Sequence, residues 1–166
     1  FSTVDFDQWP ELSKTILVGL MLVGACAGST GGGMKVSRFI ILFKEIRKEI
    51  ASLLHPRSVK VLKTEGKVIE PSVVSSVNAY FITYFFLYAA SVLIVSLDNF
   101  DFVSNFTAVA ATLNNIGPGL GAVGPTCNFG GFSILSKLVL MFDMLAGRLE
   151  LFPMLLLFSP STWKKI

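Results

Sequence analysis

The chain has 166 residues, of which 52% are hydrophobic and 15% charged, with fifteen phenylalanines and a formal net charge of +3. Soluble domains carry roughly 25% charged residues, so the composition argues against an ordinary soluble enzyme and for a membrane protein. Placement of charge says more than its total. Pro71 through Leu97 holds no Asp, Glu, Lys or Arg, and a membrane helix needs about 20 such residues. Nine basic residues fall between Lys35 and Lys67 against three glutamates, and Lys164 and Lys165 close the chain. The acidic Phe1–Pro10 and Leu97–Phe102 segments contain no basic residue. The positive-inside rule therefore puts Lys35–Lys67 and the C-terminus in the cytoplasm. A nucleic-acid role for the basic stretch is set aside because both its flanks enter the membrane.

In chain order, the start at Phe1 without an initiator methionine reads as an internal beginning, and the acidic N-terminus lacks the basic region of a signal peptide. Trp9 and Pro10 predict a helix start at the outer interface. An apolar run from Ile16 to Val23 then meets Gly24-Ala25-Cys26-Ala27-Gly28-Ser29-Thr30-Gly31-Gly32-Gly33, where five of ten residues are glycine. Each glycine costs a helix interior about 1 kcal/mol relative to alanine, so the helix is expected to break there, at mid-membrane depth. Helix resumes by Val36 and ends at His55-Pro56, since proline disfavours helix at the preceding residue. His55, the only histidine, reads as solvated or structural. Lys60–Glu70 is a polar connection. Pro71 opens a long span to about Leu97, and Asp98–Asp101 form an outer turn. Asp101 or Ser104 is placed to cap a short helix through Leu113. The last span runs from about Phe132 to Phe158, with a bend expected at Pro153. Cys26 and Cys127 have neither disulfide nor metal-site spacing.

The uncharged stretch Leu113–Gly121 lies between apolar helices and is rich in glycine and proline. Non-helical backbone at membrane depth is tolerated only where protein buries it or where it lines a water-filled path. Such a path suits ion coordination by backbone carbonyls, which replace the hydration shell of a cation. Asn115-Ile116-Gly117-Pro118-Gly119 is accordingly predicted to be a filter strand, the alternative being an outer loop of turn residues. A carbonyl ring needs about four strands, and this chain supplies one.

Gly28–Gly33 resembles the phosphate loop Gly-x-x-x-x-Gly-Lys-Ser/Thr only in part. Met34 follows Gly33, so Lys35 is one place late and Val36 stands where a hydroxyl is needed. An NTPase is set aside. Arg148 lies sixteen residues beyond Phe132, roughly 24 Å along a helix, in the inner half of the membrane. A charge there is costly and points to function, the alternative being a salt bridge within a helix interface. At 100° per residue Lys137 and Arg148 share one face of the helix, and Asp143 and Glu150 the opposite one. Lys137 reads as an outer snorkelling residue.

Gly24–Arg38, His55-Pro56, Asn115–Gly121 and Gly147-Arg148-Leu149-Glu150, four motifs in order over nearly the whole chain, resemble the TrkH branch of the Trk/Ktr/HKT potassium transporters. Met34 departs mildly from the isoleucine expected there. The resemblance implies an all-α membrane protein built of helix–pore loop–helix repeats in a pseudo-tetrameric, potassium-channel-like pore. Residues 1–54 would be the end of the third repeat, broken at 24–33. Residues 55–70 would be a cytoplasmic connection and residues 71–166 the fourth repeat. It further implies potassium held by the carbonyls of Asn115, Ile116 and Gly117, with Pro118 stiffening the strand. Gly28, Ser29, Thr30, Gly31, Gly32 and Gly33 would form an intramembrane gate, with Arg148 hydrogen-bonding its carbonyls. The expected function is potassium uptake across the bacterial inner membrane, without enzymatic chemistry and without a cofactor beyond the transported K+. Expected partners are a second copy, a cytosolic nucleotide-regulated TrkA-type ring, the remaining pore repeats and the lipid bilayer. A stand-alone homotetrameric channel and a non-conducting membrane interaction subunit are the alternatives.

Overall fold

The computed structural model describes residues 3–24, 26, 29, 32–55, 61–64, 67–149 and 151–157. Among the described residues there are six α-helices: α1 (Glu11–Leu22), α2 (Val36–Leu54), α3 (Pro71–Val95), α4 (Phe102–Leu113), α5 (Ile134–Leu149) and α6 (Leu151–Leu157). Pro10 is the N-cap of α1 rather than its first helical residue. Helix α2 stops at Leu54 with His55 as C-cap, where the following proline requires it. Glu150 and the segment from 158 onward, including Trp163, Lys164 and Lys165, lie outside the described residues, and Pro153 falls within α6.

One departure from an all-helical reading is small. Lys63–Thr64 (β1) pairs antiparallel with Lys67–Val68 (β2), and the Lys44 ammonium donates to the Lys63 carbonyl at 2.9 Å. Two residues per strand are too few to show alternation in sequence.

Among the described residues one helix, Pro71–Asp98, is long and apolar enough to cross a membrane. Its two sides differ in chemistry. Val77, Tyr80, Tyr84, Tyr88, Ser91 and Val95 are buried, whereas Ile82, Phe86 and Leu93 are 70% or more exposed. An apolar exposed side opposite a buried one fits a helix that meets lipid or further protein.

The short helix α4 packs against α3 and α5. Asp101 caps it, its carboxylate accepting from the Ser104 amide at 3.1 Å, so of the two candidates Asp101 is the cap. Ala108, Ala110 and Ala111 of α4 are fully buried, and such small residues let the neighbouring helices close in. The tightest approach is at Gly147 of α5, where any Cβ would run into the Leu113 carbonyl at the end of α4. Gly147→Ala is therefore expected to force α5 off α4 at a cost of about 1–3 kcal/mol. Thermal unfolding of the detergent-solubilised protein checks this, and an unchanged midpoint contradicts it.

Candidate functional site

The candidate strand begins where α4 ends. Asn114 is the C-cap, and Asn115 follows in the left-handed conformation with φ 55°. The Ile116 amide donates to Ala111 at 2.9 Å and the Asn115 amide to Thr112 at 3.0 Å. Those two bonds form a Schellman cap with asparagine in the position usually held by glycine. They satisfy carbonyls that the end of a buried helix would otherwise leave orphaned. The Asn115 side chain then donates to the Met144 carbonyl of α5 at 3.1 Å, fixing the start of the strand to the middle turns of α5.

Beyond Asn115 the donors turn into the protein. Gly119 donates to Val123 at 2.7 Å and Leu120 to the Thr107 hydroxyl at 2.9 Å. Ala122 donates to the Ser104 hydroxyl at 2.8 Å, and Gly121 to the Asp7 carboxylate at 3.1 Å. Among the described residues, the carbonyls from Leu113 to Gly119, including those of Asn115, Ile116 and Gly117, accept no hydrogen bond. Gly117 is exposed with φ 111°, a conformation that favours glycine. Ile116, 43% exposed, borders a groove of about 600 Å³ with Thr112, Phe129 and Met144, and a second of about 320 Å³ with Trp9 and Leu17.

The end of the glycine-rich segment meets this strand. The Gly24 amide donates to the Met34 carbonyl at 2.7 Å, and Val23 and Met34 form a parallel bridge, so the two halves of the broken helix are stitched together. Met34 is 2% exposed and packs in the same core as Tyr84, which explains how the mild departure from isoleucine is accommodated. A Cβ on Gly32 would stand 2.7 Å from the Asn115 side-chain nitrogen, and one on Gly33 would collide with the Asn114 side-chain oxygen. Gly33 also has φ 80°. Ser29 is half-buried, its amide donating to Cys26 at 3.0 Å. Gly28, Thr30 and Gly31 lie outside the described residues.

On α5 the predicted faces are compared through Asp143 and Arg148, since Glu150 lies outside the described residues. Asp143 is fully buried and accepts from the Ser91 hydroxyl of α3 at 2.9 Å, while Arg148 is exposed on the turn that begins at Gly147. Lys137 donates to the Gly130 carbonyl at 2.8 Å near the start of the helix.

Sequence reading did not assign Tyr84, whose hydroxyl donates to the Asn114 side-chain oxygen at 3.0 Å, nor Thr107 and Asp7, and it offered Ser104 only as a cap rather than as the acceptor of the Ala122 amide. The signal for Tyr84 was its spacing. Tyr80, Tyr84 and Tyr88 recur every fourth residue, one stripe of a helix.

A short capped helix that ends against two longer ones and leads into a non-helical, glycine-rich stretch belongs to an all-helical fold of the membrane cation-transport class. A family model of TrkH cation transport proteins matches residues 1–165, and the chain belongs to that family. It is 41% identical over 164 residues to the Trk system potassium uptake protein TrkH of Vibrio parahaemolyticus, covering 99% of this chain and 33% of that protein. Against TrkH of Escherichia coli K12 the identity is 38%, over 99% of this chain and 34% of the relative. TrkG of the same strain is 36% identical over 98% of this chain and 33% of its own length. The crystal structure of the potassium transporter TrkH from Vibrio parahaemolyticus superposes with a TM-score of 0.85 at 40% identity, covering 99% of this chain and 35% of that one. The chain thus spans about a third of the length of the relatives it matches.

The cap of α4 has a definite pH dependence. Hydrogen bonding from the Ser104 side chain, the largest effect, holds the Asp101 carboxyl below the usual carboxylate range; burial opposes it, and the Ser104 amide adds a smaller lowering. A carboxyl held low in the folded state adds stability that is fully present above its unfolded value, about pH 4. That stability is lost as pH falls through the lowered folded value. Asp101→Ala is expected to destabilise by about 0.5–2 kcal/mol at neutral pH. Asp101→Asn keeps a capping oxygen and is expected to retain most of the stability while losing part of the acid sensitivity. Thermal midpoints measured from pH 7 down to pH 3 decide both.

Proposed function

We propose that the chain forms part of a potassium uptake pore in the bacterial inner membrane, with Asn115–Gly119 as one strand of its filter. The observation that carries this is the one-sidedness of the strand. Its flanking amides are tied into the protein, and among the described residues the carbonyls from Leu113 to Gly119, those of Asn115, Ile116 and Gly117 among them, are left without donors. Carbonyls in that state replace the water around a dehydrated monovalent cation. Pro118 stiffens the strand and Gly119 allows its close return beside Thr107. The names of the relatives, potassium uptake proteins, support K+ as the transported ion.

In this reading residues 71–166 are one helix–pore loop–helix repeat and residues 1–54 the inner helix of the repeat before it. Further strands of a pseudo-tetrameric ring come from other parts of the pore. The segment Gly28, Ser29, Thr30, Gly31, Gly32 and Gly33 gates the path below the filter. Support comes from its described end, since Gly32 and Gly33 abut Asn115 and Asn114. Arg148 follows Gly147, which touches the same carbonyl turn, and places a positive charge at the inner end of the path. A cation meets a barrier there. Lys35–Lys67 faces the cytoplasm and offers a basic surface to a nucleotide-regulated TrkA-type ring, with the transporter a homodimer in the bilayer.

Two measurements on the complete transporter in liposomes test the filter and the gate separately. Gly117→Ser is expected to reduce the K+ preference over Na+ by about tenfold, equivalent to about 1.4 kcal/mol. An intact preference in a folded protein rejects the filter. Arg148→Ala, or a deletion within Gly28–Gly33, is expected to raise K+ flux, and an unchanged or lower flux rejects the gate.

A further inference from the structure

Asn114 is 4% exposed and uses both ends of its side chain. Its Nδ2 donates to the Ala110 carbonyl at 2.8 Å, and its Oδ1 accepts from the Tyr84 hydroxyl at 3.0 Å. As the C-cap of α4 it fixes where the left-handed turn at Asn115 begins. Tyr84 is 2% exposed, and its ring lies parallel to that of Tyr88, with centroids 6.4 Å apart and planes at 20°. Packing thus holds the hydroxyl in place before any hydrogen bond is counted. From the other side, Gly33 closes on the same Asn114 oxygen so tightly that a side chain there has no room.

We propose that Tyr84, acting through Asn114, is a positioning residue that sets the K+-over-Na+ preference of the strand Asn115–Gly119. The proposal rests on the filter reading given above. Discrimination between the two ions depends on carbonyls that keep their spacing and number around the larger one. A strand anchored at its first residue keeps that spacing. One whose C-cap side chain has lost its fixed donor lets the carbonyls close on a smaller ion. Tyr84 lies on α3, behind α4, so its hydroxyl reaches the strand through the asparagine. Tyr88, one turn further along, supplies the contrast. Its hydroxyl donates at 2.8 Å to the Phe106 carbonyl, in the body of α4 and away from the turn.

The test uses the complete transporter carrying this sequence, reconstituted in liposomes, with K+ and Na+ permeabilities read from reversal potentials. Tyr84→Phe keeps the ring and removes the hydroxyl. Its expected effect is a fall of about fivefold in the permeability ratio, the factor given by about 1 kcal/mol for one hydrogen bond. Tyr88→Phe is expected to leave the ratio unchanged. A purely structural role would lower the thermal midpoint of both variants without moving the ratio of either. A wild-type ratio for Tyr84→Phe, or an equal shift in Tyr88→Phe, overturns the proposal. Gly117→Ser measured alongside separates the two ideas. If it shifts the ratio and Tyr84→Phe does not, only the positioning role falls; if it shifts nothing, the filter reading falls first. Should Tyr84→Phe fail to insert, Gly33→Ala displaces the same asparagine from the loop side, and a wild-type ratio in that variant also overturns the proposal.

Discussion

The structure depends on one conflict of hydrogen bonding. A strand that is to hold a bare cation must leave carbonyl oxygens open, yet unsatisfied backbone groups at membrane depth cost several kcal/mol each. The chain resolves this by dividing donors from acceptors. Amides of Asn115 and Ile116 return to α4, and those of Gly119, Leu120, Gly121 and Ala122 find a carbonyl, two hydroxyls and a carboxylate. Pro118 has no amide to satisfy. The one remaining donor, Gly117, belongs to an exposed residue. The acceptors of Asn115, Ile116 and Gly117 are then the groups left for an ion in the proposed filter.

That division requires α4 to stop abruptly and in a fixed place. Asn115 does so by entering the left-handed region, where its short polar side chain is tolerated, and by reaching the Met144 carbonyl. Glycine in its place would adopt the turn more readily but would lose that bond. Neighbouring elements press on the same point: Gly147 on the Leu113 carbonyl, Gly33 on the Asn114 side chain, and Tyr84 from α3. Close approach on two sides explains why glycine stands at 33 and 147. It also explains how one short helix fixes the geometry of residues beyond its own end.

Much of this was legible in the sequence, and for a physical reason. Apolar length, glycine density and the placement of charge act locally, so α3, the interruption between Leu22 and Val36, the Asp101 cap and the end of α4 at Leu113 all follow from nearby residues. What escaped was long-range and polar. Asp7 reaches Gly121 across 114 positions, Ser91 reaches Asp143 across 52, and Tyr84 reaches Asn114 across 30. Side-chain chemistry alone does not say which distant backbone group a hydroxyl or carboxylate will meet. The β1–β2 ladder was missed for the opposite reason, being too short to carry a period.

Exposure of the candidate strand bears on what surrounds it. Ile116 keeps 43% of its surface open, between grooves of about 600 and 320 Å³ whose walls are largely apolar. Water is a poor neighbour for such walls, and lipid is a poor neighbour for three unbonded carbonyls in the same strand. In the proposed pore, protein beside the apolar walls and an aqueous path at the carbonyls suit both. A strand of this kind makes physical sense as one member of a ring whose other members cover the two grooves. The relatives that the chain matches are about three times as long as it is.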